Sequence, residues 1–264
     1  MNSSLARLRT PLESGFGQAG NIFALFVDVL RKAFRRPFEW REFIEQSWFI
    51  ASVSILPSAL VAIPFGAVVA LQTGSLIKQL GAESFTGATS VLATVQQAAP
   101  VVTALIIAGA AGSAVAADLG SRTIREEIDA LEVLGIDPVR KLVVPRVLGM
   151  TLVALLLNGL VSVVGIAGGY FFNVLLQGGT PGAYLASFSA LAQLPDLWIG
   201  EIKALIFGLI AGVIAAYKGL HPKGGPKGVG DAVNQSVVIT FLVLFFVNLI
   251  LTLVYLQVVP AKGA

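Results

Sequence analysis

Asp118–Arg146 reads DLGSRTIREEIDALEVLGIDPVRKLVVPR and holds eleven of the chain's 33 formal charges. The runs on either side, Val91–Ala117 and Val147–Leu176, carry none. Each exceeds the roughly 20 apolar residues that cross a bilayer. A compact charged segment hung between two such runs is a shape that something outside the bilayer can push on. It suits a moving part of a membrane machine better than a channel wall or an anchor.

The whole chain fits that setting. Of its 264 residues 56% are hydrophobic and 12% charged, and mean hydropathy is +0.84; a soluble domain carries about 25% charged residues. In lipid the backbone polar groups are satisfied inside helices, so the expected fold is an all-α integral membrane protein. Five spans are expected: Trp48–Leu71, Val91–Ala117, Val147–Leu176, Ile202–Ala216 and Val233–Val259. The third is long enough to tilt or project. The fourth is short, with Glu201 and Lys203 at one end. This gives an N-terminal region 1–46 and a five-span domain 47–260 with the charged loop 118–146 between spans two and three. Cysteine is absent, which excludes disulfides, a thiol nucleophile and thiolate metal sites.

Lysine and arginine set the orientation. Residues 1–46 hold seven, Asp118–Arg146 five and Lys218–Asp231 three, against only Lys78, Lys203 and Lys262 on the other side. Fifteen against three predicts a multi-pass membrane protein with its N-terminus cytoplasmic and its C-terminus extracytoplasmic. An odd number of spans agrees with that arrangement. The first 20 residues are too polar for a signal peptide's apolar core.

Before the first span, Phe23, Phe26, Val27, Leu30 and Phe34 recur at helical spacing, with Arg31, Lys32, Arg35 and Arg36 on other faces and Pro37 following. This predicts an amphipathic helix lying in the headgroup region, where Phe23, Phe26 and Phe34 contact lipid; a plain orientation anchor is the alternative. Gly165 and Gly169, Gly208 and Gly212, and Ala108, Gly112 and Ala116 form small-residue faces for close helix packing. Pro57, Pro64 and Pro100 are expected to kink their spans. The absence of an internal repeat speaks against an inverted-repeat transporter.

Within the charged loop, Thr123 and Glu126 have the spacing of a capping box. Ile124, Ile128, Leu131 and Leu134 then form an apolar stripe, with Arg122–Glu126 and Arg125–Asp129 as pairs four apart. Gly135 fits a left-handed C-terminal cap, and Pro138 blocks continuation. The expectation is a helix of about twelve residues, Thr123–Leu134. Asp137 and Pro138 read as N-cap and first position of a second helix that feeds span three through Pro145. A push on the first helix would thus reach a span across a stiff elbow.

The run Glu126-Glu127-Ile128-Asp129-Ala130-Leu131, with Gly135-Ile136-Asp137-Pro138 and Pro145-Arg146, resembles the signature of the MlaE/YrbE family of ABC permeases. Ala110-Ala111-Gly112-Ser113-Ala114, Lys203 with Phe207-Gly208, and Gly228-Val229-Gly230 with Ser236-Val237-Val238 extend the likeness over roughly residues 45–258. Glu127, Ala232-Val233-Asn234 and Asn248 depart from it, and Asn248 replaces a frequent acidic residue of the last span. The chain is also similar to actinobacterial YrbE proteins, which occur as two permease chains side by side. The resemblance implies the membrane subunit of an ABC-type lipid transport system, in the bacterial inner (plasma) membrane. It implies four partners: an ABC ATPase subunit, a second permease chain (identical or homologous), MCE-type substrate-binding proteins and membrane lipid. Glu126, Ile128, Asp129, Leu131, Leu134, Gly135, Asp137 and Pro138 would then form the coupling helix and elbow that dock in the ATPase. Ile128, Leu131 and Leu134 would enter its groove, while Glu126 and Asp129 would fix orientation.

No P-loop motif is present; Lys223-Gly224-Gly225-Pro226-Lys227-Gly228 has the wrong spacing and no following Ser or Thr. The chain therefore has no enzymatic activity or cofactor of its own, and ATP with Mg would bind the partner ATPase. The lone His221 builds neither a metal site nor a catalytic triad, and nothing points to nucleic acid. Glu201 and Lys203, two apart, cannot face each other on a helix. Lys203 is expected to snorkel to the outer headgroups, or else to pair with a lipid phosphate or the partner chain. Two rival readings remain open. An ion-coupled secondary transporter needs carboxylates well inside the spans, where the five drawn hold none. A scaffold for an extracytoplasmic lipid-binding protein needs no capped helix.

Overall fold

The computed structural model describes residues 3–35, 38–81, 85–176, 178–191 and 194–258. Arg36, Pro37, Val259 and Lys262 lie outside them. Among the described residues the secondary structure is helical, without strands. Helix α1 covers Ser3–Ala33 and α2 covers Trp40–Gln79. The second apolar run is a continuous rod made of α3 (Thr86–Ala93), α4 (Ala99–Ile106) and α5 (Gly112–Ile124), joined by π-turns at Thr94–Ala98 and Ile107–Ala111. A short α6 (Glu127–Val133) and a π-turn at Val139–Val143 lead into α7, Val144–Leu176. Then come α8 (Pro181–Leu191), α9 (Leu194–Leu220) and α10 (Gly225–Val258).

Five of these units are long and apolar enough to cross a membrane: Trp40–Gln79, Thr86–Ile124, Val139–Leu176, Leu194–Leu220 and Gly225–Val258. The expected count of five holds, and each helix overruns the apolar stretch that announces it. Forty residues of α2 rise about 60 Å, roughly twice a hydrocarbon core. The fourth span differs most from expectation. At 27 residues it is not short, and 61% of its most apolar window is buried, more than in any other span. Its polar start, with Asp196 and Glu201, hides the helix from a count of apolar residues.

Backbone contact between small residues holds the bundle together. A Cβ on Gly66 of α2 would lie 2.2 Å from Gly165 O of α7, and one on Gly208 of α9 would lie 2.7 Å from Thr151 Cα of α7. A Cβ on Gly212 would press on Val147, and one on Gly219 on Ala116 of α5. The paired glycines legible in the sequence are therefore close-packing sites. Around them a core of Ile107, Val147, Met150, Phe207 and Ala211 is fully buried. Pro57 and Pro64 sit inside an unbroken α2, whereas Pro100 opens α4 just after a π-turn.

Helix α1 departs from the expected stripe. From Gly17 onward Val29 is the fully buried residue, packed on the core with Ile22, Leu25, Phe26 and Ala33 alongside. Phe23 and Phe34 point away, 66% and 87% exposed. The helix is thus apolar on two sides, one against the bundle and one outward.

Candidate functional site

The end of the bundle that carries Asp118–Arg146 is called proximal below, and the opposite end distal. At the proximal end the second rod does not stop where a capping box would begin. Helix α5 continues to Ile124, and Thr123 Oγ1 donates to Leu119 O at 2.9 Å and to Gly219 O at 3.3 Å. A hydroxyl four residues past a helical carbonyl bonds back to it, and Gly219 of α9 holds it there. The break falls at Glu126, the one non-glycine residue with positive φ (61°) among the described residues. The helix that follows has seven residues rather than about twelve. The expected ion pairs shift as well: Arg122 meets Asp118 at 3.2 Å and Glu127 at 3.5 Å, and Arg125 meets Glu127 at 3.0 Å.

The far side of α6 forms as the sequence predicts. Gly135 has φ 72°; its N–H donates to Glu132 O and that of Ile136 to Leu131 O, both at 2.9 Å. This bond pair is a Schellman motif. Asp137 Oδ1 accepts from the N–H groups of Val139 (3.0 Å) and Arg140 (3.4 Å), and Pro138 leads into the π-turn before α7. The elbow is capped on both sides of one bend.

Which face of α6 is free differs from expectation. Ile128 is buried and Leu131 partly buried, both on the chain's own core. Val133 and Leu134 are 87% and 72% exposed, with Glu126, Asp129 and Glu132 exposed around them. Seven residues make barely two turns, so the stripe that fixes α6 to the bundle cannot also be offered outward.

Arg146, which the sequence marks only as the end of the loop and as part of the Pro145-Arg146 signature, is the centre of this region. Its side chain is fully buried at the start of α7. It donates to Asp118 Oδ2 at 2.6 Å and to Leu142 O at 2.8 Å, and pairs with Glu42 Oε1 of α2 at 3.2 Å. Three spans thus meet on one guanidinium.

Lys32 of α1 adds a second tie, to Asp137 at 2.5 Å and Asp28 at 2.8 Å. Burial alone would raise the Asp137 pKa, but the Lys32 ammonium and two backbone N–H groups hold it below the usual carboxylate range. Burial likewise opposes the charge on Lys32, yet the two carboxylates raise its pKa above the usual lysine value. The tie therefore stabilises the fold fully between about pH 4 and pH 10, the unfolded values of the two groups. It is lost as pH falls through the lowered Asp137 value, or rises through the raised Lys32 value. Both groups are partly solvated, so the contribution is about 1 kcal/mol at most. Lys32→Met should melt slightly below wild type at neutral pH and less far below it at about pH 3. A gap of equal size at both pH values would contradict the assignment.

The distal end holds a second polar cluster. Pro100 has no N–H, so Gln96 O lacks its α-helical partner four residues on; Lys203 Nζ donates to that carbonyl at 2.9 Å and to Thr252 Oγ1 at 2.9 Å. Gln97 Nε2 reaches Thr252 at 3.1 Å, and Asn248 Nδ2 reaches Gln97 at 3.4 Å. Asp196 accepts from Gln96 Nε2 (2.7 Å) and Tyr255 OH (2.5 Å), and Glu201 accepts from Asn158 Nδ2 (3.0 Å). Lys203 is 1% exposed, so it does not snorkel; it stitches the second, fourth and fifth spans together. Glu201 and Lys203 do face different neighbours. The fourth span begins earlier than drawn, at Leu194, and so takes in Asp196 and Glu201 at its distal end.

Comparison with known proteins agrees with this architecture. Residues 43–254 match the family described as "Permease MlaE". A probable ABC transporter permease protein of Rickettsia typhi is 33% identical over 198 residues, covering 74% of this chain and 76% of the relative. One from Synechocystis is 34% identical over 186 residues, covering 70% and 69%. The intermembrane phospholipid transport system permease protein MlaE of Haemophilus influenzae is 29% identical over 167 residues, covering 63% and 64%.

Proposed function

Because this chain belongs to the MlaE permease family, we propose that it is the membrane subunit through which an ABC system moves a phospholipid or similar hydrophobic molecule. The chain is a multi-pass permease, and a separate ATPase would supply the energy. The relative from Haemophilus influenzae, a phospholipid transport permease by name, supports the lipid class.

The observation that carries the reading is α6. A two-turn helix closed by a Schellman motif presents Val133 and Leu134 to solvent. Two adjacent apolar side chains exposed beyond a membrane span suit an apolar groove on another protein. The ATPase would receive this tip, with Glu126, Asp129 and Glu132 orienting it by charge. Movement of α6 would pass through the Asp137–Pro138 elbow to α7, and through Arg146 to α2 and α5.

The proximal side is then cytoplasmic, as the lysine and arginine distribution favours. The last span fits a place beside a second permease chain: only 11% of its most apolar window is buried, and Phe241, Phe245 and Phe246 are exposed. An MCE-type protein would meet the distal face. Asp196 and Glu201 are hydrogen-bonded at the distal end, and an ion-coupled mechanism would route through them; family membership favours the ATP-driven one.

Purification from native membranes in mild detergent, followed by mass spectrometry of what copurifies, tests this. An ABC ATPase together with an MCE-type protein is the expected result. The chain alone under several mild conditions would refute it.

A further inference from the structure

Three helices each place one polar residue at the proximal end of an apolar stripe. On α1 the stripe is Gln18, Ile22, Phe26; on α10 it is Gln235, Ile239, Val243; on α9, read the other way, it is Lys218, Ile214, Ile210. Residues four apart share a helix face, and eight residues rise about 12 Å. Where the stripes converge they line an apolar groove of about 530 Å³. Directly proximal lies a polar cavity of about 380 Å³, lined by Lys218, His221, Lys223 and Asp231, with Gln18 common to both.

Lys218 defines what the polar cavity lacks. It is 6% exposed, and its ammonium donates to two neutral acceptors, Gln18 Oε1 (3.2 Å) and Gln235 Oε1 (3.0 Å). An ammonium has three donors, so one remains. Among the described residues no carboxylate forms an ion pair with it. Buried charges are ordinarily paired. Among the described residues two lysines against one aspartate leave the cavity positive.

We propose that the junction of α1, α9 and α10 binds one anionic phospholipid from the proximal leaflet. Its phosphate sits against Lys218, His221 and Lys223, and one acyl chain lies in the groove between Ile22, Ile214 and Ile239. A soluble phosphate would satisfy the cavity but not the groove; a zwitterionic lipid would bring the same phosphate together with a choline cation that Lys218 and Lys223 repel. Such a lipid pins α1 to the bundle, on the side opposite the Lys32–Asp137 tie along the same helix. The site requires only that the chain sits in a membrane, so it stands or falls separately from the ATPase reading.

The test is native mass spectrometry of the purified full chain, incubated in detergent with dioleoyl phosphatidylglycerol or dioleoyl phosphatidylcholine. Wild type should retain one phosphatidylglycerol in preference to phosphatidylcholine. Lys218→Met should lower phosphatidylglycerol retention about tenfold, as loss of one charge-assisted bond implies. Ile239→Trp should lower retention of both lipids while leaving Lys218 in place. Inorganic phosphate should not displace the bound lipid. If Lys218→Met does not fold, the double variant His221→Ala/Lys223→Gln, altered at two exposed positions, should lower retention several-fold with an unchanged melting temperature. Equal retention of the two lipids by wild type, unchanged retention in the variants, or displacement by inorganic phosphate overturns the proposal; the last would leave a free-anion site.

Discussion

Arg146→Met should cost the fold about 3 kcal/mol, because removing one partner of a buried ion pair leaves the others uncompensated. Two carboxylates, Asp118 and Glu42, would then face each other across the space the guanidinium filled. Their side chains are 31% and 27% exposed, so water can reach them, and the loss stays at the low end of the usual range. Leu142 O would also lose its donor. Thermal unfolding of the detergent-solubilised chain measures this. Arg146→Lys should recover part of the loss, since one ammonium cannot serve three acceptors in a guanidinium's fork geometry. Adding Asp118→Asn to Arg146→Met should recover part as well, because it removes one stranded charge. A melting temperature unchanged in Arg146→Met would mean that the three spans do not depend on this node.

The second large effect concerns coupling. Leu134→Asp should leave the chain's own stability within about 0.5 kcal/mol, as for other solvent-facing positions. It should nevertheless lower lipid-stimulated ATP hydrolysis by the reconstituted transporter about a hundredfold. A carboxylate pressed unpaired into an apolar groove costs several kcal/mol, and each 1.4 kcal/mol is a factor of ten in docking. Leu131→Asp, the choice suggested by the sequence stripe, is less informative, because Leu131 packs on the chain's own core and its change would disturb the fold as well. Stimulated hydrolysis at the wild-type rate in Leu134→Asp would show that this tip does not enter the ATPase.

The contrast between Leu131 and Leu134 shows what could be read from the sequence. Features whose partners lie within a few residues were legible. The five apolar runs, the turn at Gly135 and the Asp137–Pro138 cap are of this kind, since each depends on neighbours along the chain. Thr123 misleads because a hydroxyl that begins one helix and a hydroxyl inside another present the same spacing. Only Gly219, 96 residues on, decides between them. Arg146 and Lys203 were illegible for a similar reason. Their partners Asp118, Glu42, Gln96 and Thr252 come from other spans, and nothing local marks them. The small-residue faces lie between these cases: their spacing announces close packing but not which helices approach.

The direct backbone contacts of Gly66, Gly208, Gly212 and Gly219 also set the molecule's degrees of freedom. A joint without side chains between its two surfaces has no rotamers through which to slip, so α2, α5, α7 and α9 form one stiff slab. The last helix has the fewest fully buried residues of the five spans and is the stave most easily detached from that slab. Torque delivered at the α6 tip would then turn the slab as a unit rather than bend it. Relative displacement is left to α10 and to whatever lies against it.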